Sequence, residues 1–191
     1  CDGCDLVQTD SMIHPDSLYK DYKPFHPDMH SDHFCGFVND LVDRFGDLSN
    51  EKMHRDLSLI RRKKILEFGC SDGVLLNQLK KAGADTLGVD PCTKAVKRAR
   101  ANGGLFVIDD YFNQKNFLKR ETESEHDMVI ANSTLDRMVD LSGTIKTVKH
   151  ILKPNGYFIF EVYYLGSLTK KENRDNFCHE HVYYFSITAL Q

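Results

Sequence analysis

Two carboxylates and two glycines crowd into Glu67-Phe68-Gly69-Cys70-Ser71-Asp72-Gly73, and about twenty residues after Gly69 a further carboxylate closes Gly88-Val89-Asp90. These are the parts of a nucleotide site: a glycine turn lets backbone approach a ligand, and a carboxylate beyond the next strand accepts from a ribose diol. The glycine spacing narrows the choice of nucleotide. Dinucleotide sites use Gly-x-Gly-x-x-Gly, whose middle glycine seats a pyrophosphate against bare backbone. Here the turn is Gly69-x-x-x-Gly73, and Ser71 stands where that middle glycine would fall. A ligand without phosphates such as S-adenosylmethionine, a sulfonium, has no use for such a turn, and we read it in preference to NAD.

The same region supplies the other expected contacts. Glu67 is placed to meet the ammonium of a methionine moiety, directly or through water, and Gly69 and Gly73 bring backbone to the ligand. Asp72 either caps the following helix or touches ligand. Asp90 is expected to accept from the 2′- and 3′-hydroxyls. Asp110 can take an adenine amino group while Tyr111 or Phe112 covers the ring, with core packing as the other use of those aromatics. Asn132 closes an apolar run and is expected to face the reactive methyl.

Two further groups could do chemistry. His179-Glu180-His181 puts two imidazoles around a carboxylate, a pattern for proton transfer near neutrality. A zincin needs His-Glu-x-x-His to set both rings on one helical face, which this spacing does not provide, although on a strand His179 and His181 would share a face. Cys1-x-x-Cys4 has the spacing by which two thiolates share one tetrahedral zinc, and no second pair follows. Cys35, Cys70, Cys92 and Cys178 are scattered without a disulfide rhythm, as expected of reduced thiols.

Positioning these groups requires an alternating fold. Phe34, Phe37, Leu41, Val42 and Phe45 recur at helical spacing up to Gly46. Strands are expected at 64–68, 86–89, 105–108, 128–131 and 157–162. Helices are expected from Val74 to about 82, from Pro91 to Asn102-Gly103-Gly104, around 113–119, and over 141–152, the last stopped by a turn at Lys153-Pro154-Asn155-Gly156. Strands alternating with helices predict an α/β fold, a doubly wound, mostly parallel sheet with ligands at the carboxyl ends of its strands. Residues 1–30, with Pro15, Pro24 and Pro27, look like an irregular lead-in.

A chain of 191 residues with 41% apolar and 28% charged content suits one globular core. Net charge is −3, and Arg61-Arg62-Lys63-Lys64 reads as a solvated strand entry, so nucleic acid is not expected as a partner. No run approaches a membrane span of about 18 apolar residues, no signal peptide is expected, and cytoplasmic is the default expectation. The start at Cys1 and the stop at Gln191 lead us to expect a piece of a longer protein.

Glu67 to Gly73, Gly88 to Pro91 and the Leu152 to Gly156 turn resemble motifs shared by many methyltransferases. His179-Glu180-His181, followed by Tyr184-Phe185-Ser186-Ile187-Thr188-Ala189-Leu190, is similar to a more discriminating segment of the sugar C-methyltransferases. The opening Cys1-x-x-Cys4-x-Leu6-Val7-Gln8 and Tyr19-Lys20-Asp21-Tyr22 resemble the end of that family's zinc module and its linker. The resemblance implies a Rossmann-like class I methyltransferase core over 31–170, preceded by the remnant of a zinc-binding module over 1–30 and followed by the start of a substrate-binding region at 171–191. It also implies a nucleotide-linked keto-deoxysugar as the small-molecule substrate, S-adenosylmethionine as cofactor and zinc as a structural ion, half of whose site, Cys1 and Cys4, is present. His181 matches the proposed base that forms an enolate, Glu180 is its neighbour, and Tyr22 is a candidate substrate-side hydroxyl. Cys178 stands where the family often has Tyr, and Arg137 where it commonly has His. The alternatives are an O- or N-methyltransferase acting on another small molecule, for which the His-Glu-His segment is incidental, and a non-catalytic nucleotide-binding scaffold.

Overall fold

A computed structural model describes residues 1, 3–19, 27–45, 60–117, 125–169, 177–178 and 180–191. In chain order the elements are β1 (Val7–Gln8), α1 (Pro15–Tyr19), α2 (Pro27–Phe45), β2 (Lys64–Phe68), α3 (Val74–Lys81), β3 (Asp85–Asp90), α4 (Thr93–Gly103), β4 (Val107–Asp109), α5 (Gln114–Phe117) and β5 (His126–Asn132). They continue with α6 (Leu141–Ile151), β6 (Leu152–Glu161), α7 (Leu165–Leu168) and β7 (Tyr183–Tyr184).

The five long-range strands pair in the order β4-β3-β2-β5-β6, all parallel. The sequence runs outward from β2 to one edge and then returns to build the other side from β5, so the order reverses between β2 and β5. At such a switch point the connections leave in opposite directions and open a crevice at the carboxyl ends of the strands. The doubly wound expectation is met.

The strands read as buried on both faces, as a covered parallel sheet requires. Ile65 packs with Met128 and Ile130 in a cluster with Val38, Leu41 and Val42 of α2 and Leu75 and Leu79 of α3. Leu66 and Phe68 point the other way and join Val129, Ala131 and Val148 and Ile151 of α6. That alternation is the period of two of a strand. Phe68 stacks on Phe112 at 4.3 Å and 3°, and Phe112 meets Phe117 at 4.7 Å. Full burial of such a ring contributes about 1.5–3 kcal/mol.

Two local features differ from expectation. The turn at Lys153–Gly156 does not precede the last long strand but lies within it. His126 pairs with Leu152 and Met128 with Tyr157, so the residues between them loop out, with Asn155 at φ 64°. Asp127 stabilises the irregularity by accepting from Lys64 N–H and Lys153 Nζ, each at 2.9 Å. The lead-in is also more ordered than expected: β1 pairs antiparallel with β7, Val7 against Tyr184 and Gln8 against Tyr183. This joins the two ends of the chain and seats the tail, where Val182 N–H donates to Asp136 carbonyl at 2.8 Å. Among the described residues no helix is long and apolar enough to cross a membrane.

Candidate functional site

A crevice of about 980 Å³ opens where β2, β3, β5 and β6 end. Its wall includes Glu67, Gly69, Ser71, Asp72, Asp90, Tyr111, Phe112, Asn132, Arg137, Glu161 and Tyr163, together with His14, Asp16 and Tyr19 from the lead-in and His33 from α2.

The turn after β2 is shaped by two backbone constraints. Gly69 has φ 72°, and a Cβ there would collide with the Thr134 side chain; Gly73 has φ 79°, and a Cβ there would strike Leu105. Both conformations and both approaches demand glycine. Ser71, at φ 50°, holds its unfavourable conformation by donating its N–H to Asp90 Oδ2 at 2.8 Å. Ser71 thus does more than fill the place of a missing glycine: its amide is committed to Asp90, and the turn offers no bare cradle there for a pyrophosphate. Helix α3 starts from Gly73 as N-cap, so the capping use of Asp72 is not realised, and Asp72 lies on the crevice wall.

Asp90 also accepts from Cys92 N–H at 2.8 Å through Oδ1. Burial raises its pKa against the pull of these two amides. Glu67 is 3% exposed; burial first, and then the charge of Asp90, push its carboxyl up to about 8. Its Oε2 is buried without a hydrogen-bond partner, as are Asn132 Nδ2 and Ser71 Oγ. Buried polar atoms are rarely left unpaired. Three of them on one crevice wall, an acceptor, a donor and a hydroxyl, fit the ammonium and carboxylate of an amino-acid moiety.

The wall's charge points the same way. Asp16, Asp72, Asp90, Asp140 and Glu161 face the crevice, against Arg137 as the permanent cation on the described wall. A carboxylate-rich cleft attracts a cationic sulfonium and repels a pyrophosphate.

Tyr111 lies on the wall and donates its hydroxyl to Asp16 Oδ1 at 2.6 Å, with Tyr19 edge-on at 6.4 Å. Its pKa is raised, by burial first and then by that hydrogen bond. Phe112 touches the crevice from the core stack. Asp110 does not line the crevice; its Oδ1 accepts from Tyr111 N–H at 2.7 Å.

Glu180 and His181, the described part of the His-Glu-His segment, are not on the crevice wall. His181 is 4% exposed, in a turn closed by its N–H to Cys178 carbonyl, so the strand that would align two histidines is not formed there. Its Nε2 lies 3.5 Å from Asp136 Oδ2 and 3.5 Å from Arg137 Nη2, and Glu180 pairs with Arg137 Nη1 at 3.1 Å. Asp136 is raised above the usual carboxylate range by burial, against the opposing charges of His181 and Arg137. Arg137 and Tyr163, whose ring lies 5.2 Å from that of His181, separate the imidazole from the crevice. Tyr22 and His179 lie outside the described residues.

Sequence reasoning missed His33, Asp136, Glu161 and Tyr163. The end of β6 beside Asn132 was the available signal for Glu161, since Asn132 pairs with it in register. His33 carried none, because its partner lies 128 residues away.

Cys1 and Cys4 are exposed and reduced, on a turn in which Asp5 N–H donates to Cys1 carbonyl at 2.9 Å. Among the described residues no group of three or more His, Cys, Asp or Glu side chains is placed to hold a metal ion.

Comparison with known proteins agrees with this architecture. The chain is 28% identical over 195 residues to C-methyltransferase NovU of Streptomyces niveus, covering 100% of this chain and 43% of that protein. It is 24% identical over 124 residues to a ubiquinone biosynthesis O-methyltransferase of Bradyrhizobium diazoefficiens, covering 65% of this chain and 47% of that one. The chain therefore spans less than half the length of these curated relatives. Its fold is shared with an S-adenosylmethionine-dependent methyltransferase from Archaeoglobus fulgidus, at TM-score 0.60 and 16% identity over 85% of this chain and 69% of that one. The YcgJ protein of Bacillus subtilis shares it too, at TM-score 0.62 and 16% identity over 84% and 65%. A methyltransferase-domain family profile matches residues 32–191, and the chain belongs to that family.

Proposed function

We propose that this protein binds S-adenosylmethionine in the crevice and transfers its methyl group to carbon beside the ketone of a nucleotide-linked deoxysugar. The observation that carries the cofactor is the set of unpartnered buried atoms, Glu67 Oε2, Asn132 Nδ2 and Ser71 Oγ, on a wall that also carries Asp16, Asp72, Asp90, Asp140 and Glu161. Glu67 would take the ammonium, Asn132 and Ser71 the carboxylate, Asp90 the ribose diol, and Tyr111 the face of the adenine, with Asp110 fixing that loop from behind. Asp72 would meet the ligand's edge, and Gly69 and Gly73 keep side chains out of its way. The cofactor supplies an electrophilic methyl group with a good leaving group already attached. The chain's own task is alignment, exclusion of water and removal of a proton.

Carbon as the acceptor atom is favoured by the relative matched across the whole chain, which is named a C-methyltransferase, whereas the O-methyltransferase match spans 65% of the chain. The His-Glu-His resemblance supports the same reading. We place His181, Glu180 and Tyr22 on the acceptor's side. Asp136 stabilises charge on the His181 imidazole, and Glu180 holds Arg137 against the crevice; His181 itself reaches an acceptor when Arg137 turns aside. Methylation of oxygen or nitrogen is the second reading, favoured by the burial of His181, and it predicts a product whose new methyl group sits on oxygen or nitrogen.

Calorimetric titration with S-adenosylhomocysteine, with NAD as control, tests the cofactor: micromolar binding of the first and none of the second is expected. Equal affinity for NAD would sink the reading. Mass analysis of a nucleoside-diphosphate keto-deoxyhexose after incubation with S-adenosylmethionine tests the acceptor.

Cys1 and Cys4 would supply two thiolates to a structural zinc whose other ligands lie elsewhere in the whole protein. Cobalt substitution checks this, because thiolate coordination gives a charge-transfer band that Cys4→Ser would weaken.

A further inference from the structure

His33 Nε2 and Glu161 Oε2 meet at 3.0 Å across 128 residues of sequence, one from α2 and one from the end of β6, and both side chains line the crevice while remaining about half exposed. An exposed histidine–carboxylate pair elsewhere would be a surface contact of little worth. Its place in the crevice makes it something else. The unpartnered atoms that suit the cofactor belong to β2, to the turn after it and to the end of β5. Glu161 lies one strand further out, in register with Asn132, on the side of the sheet away from Asp90. An acceptor that meets the methyl group from beyond Asn132 therefore arrives beside this pair.

The other described imidazoles near the crevice are less suited. His14 sits with Asp16, which is bonded to Tyr111 near the β4 edge. His181 is buried behind Arg137 and Tyr163. His33 alone among these is on the wall, on the β6 side and open to a ligand in the arrangement seen.

We infer that His33, oriented by Glu161, is the base that takes the acceptor's proton. The inference rests on the carbon-methylation reading and names the residue that reading requires. A carboxylate only accepts, so Nε2 carries the hydrogen toward Glu161 and Nδ1 keeps the lone pair. The C–H bond beside the ketone breaks and its proton passes to Nδ1. The released pair forms the C=C bond, and the carbonyl pair moves to oxygen. The oxygen pair then returns to re-form C=O while the C=C pair bonds to the methyl carbon, and the S–CH3 bond breaks with its pair left on sulfur. Glu161 balances the imidazolium until its proton is lost to water.

Enolisation can be read apart from transfer. The protein is saturated with S-adenosylhomocysteine, which has no methyl group to give, and deuterium from solvent is followed into a nucleoside-diphosphate 4-keto-6-deoxyhexose. The wild type should exchange. His33→Ala should lose about 10²-fold in exchange at saturating sugar, the size of a general-base contribution, and recover part of it with added imidazole. Glu161→Gln should lose less, with the same probe affinity. S-adenosylhomocysteine binding by both variants, unchanged within twofold, certifies the fold. Exchange retained in His33→Ala and lost in His181→Ala would overturn the assignment alone. A wild type that binds S-adenosylhomocysteine but neither exchanges nor methylates the probe would overturn the carbon-methylation reading and this inference with it.

Discussion

The backbone N–H of Ser71 donates to the carboxylate of Asp90 at 2.8 Å, so the residue that ends β3 also fixes the turn that follows β2. The other oxygen of Asp90 holds Cys92 N–H at the same distance. One side chain thus shapes both loops that would lie under a nucleoside. Its proposed role as a ribose acceptor and its role as a loop clamp are therefore removed together by deletion.

Asp90→Ala leaves two backbone donors without acceptors, at about 1–3 kcal/mol for each that stays buried. We expect a clear fall in thermal stability and loss of S-adenosylhomocysteine binding by calorimetry. Asp90→Asn keeps a carbonyl acceptor and should bind weakly with most of the stability retained. Unimpaired binding by the Ala variant would place the ligand elsewhere.

Gly69 tests the turn from the steric side. A Cβ at that position collides with Thr134, and φ 72° is itself unfavourable for any other residue. Gly69→Ala should destabilise by about 1–3 kcal/mol, the usual size of such strain. Adding Thr134→Ala should relieve the collision but not the dihedral cost, giving a favourable coupling of at least about 0.5 kcal/mol in a double-mutant cycle. Additive losses in denaturant unfolding would show that Thr134 moves aside freely.

Glu67 makes ligand binding depend on pH. Its folded value of about 8 stands above the reference value of 4.5. A raised value means that its contribution to stability is full below about 4.5 and is lost as pH rises through 8. A bound ammonium reverses the preference by pairing with the ionised form, so binding expels a proton. Affinity for S-adenosylhomocysteine should therefore climb from pH 6 to 8, by up to about tenfold per unit. Glu67→Gln should flatten the profile, and proton release should vanish in buffers of different ionisation enthalpy. A flat wild-type profile would mean that Glu67 does not meet the ammonium.

The legible parts of this molecule are those written in local pattern. β2, α3 and β3 carry their period, their glycines and their terminal acids within thirty residues, and the expected strand at 64–68 is the strand observed. Asp90 was legible as the acid that ends a strand but not as a loop clamp, because that bond joins two loops. Lys153–Gly156 has every local mark of a turn, yet the pairing of Leu152 with His126 makes it an excursion inside β6. Long-range partners leave no local trace: His33 meets Glu161, and Asp136 meets His181, only after the sheet has formed. The ring of Phe112 shows the same limit, since an aromatic after a strand end suits a ligand and a core equally until Phe68 is found stacked on it.

Asp136 and His181 give the last prediction. The pair is nearly buried, 5% and 2% exposed at the imidazole and the carboxylate, and 3.5 Å apart, with Arg137 beside the ring. Removing one partner of a buried pair leaves the other charge uncompensated, at about 3–5 kcal/mol. In a chain of this size that corresponds to a fall in Tm on the order of 10 °C. Asp136→Asn keeps the shape and should lose less. Because neither residue lines the crevice, affinity for S-adenosylhomocysteine should change less than threefold in Asp136→Asn. The acceptor should feel the substitution through Arg137, whose guanidinium sits between Glu180 and His181, so KM for the methyl acceptor should rise more than kcat falls. A selective loss of cofactor affinity would instead place this pair on the cofactor's side of the site.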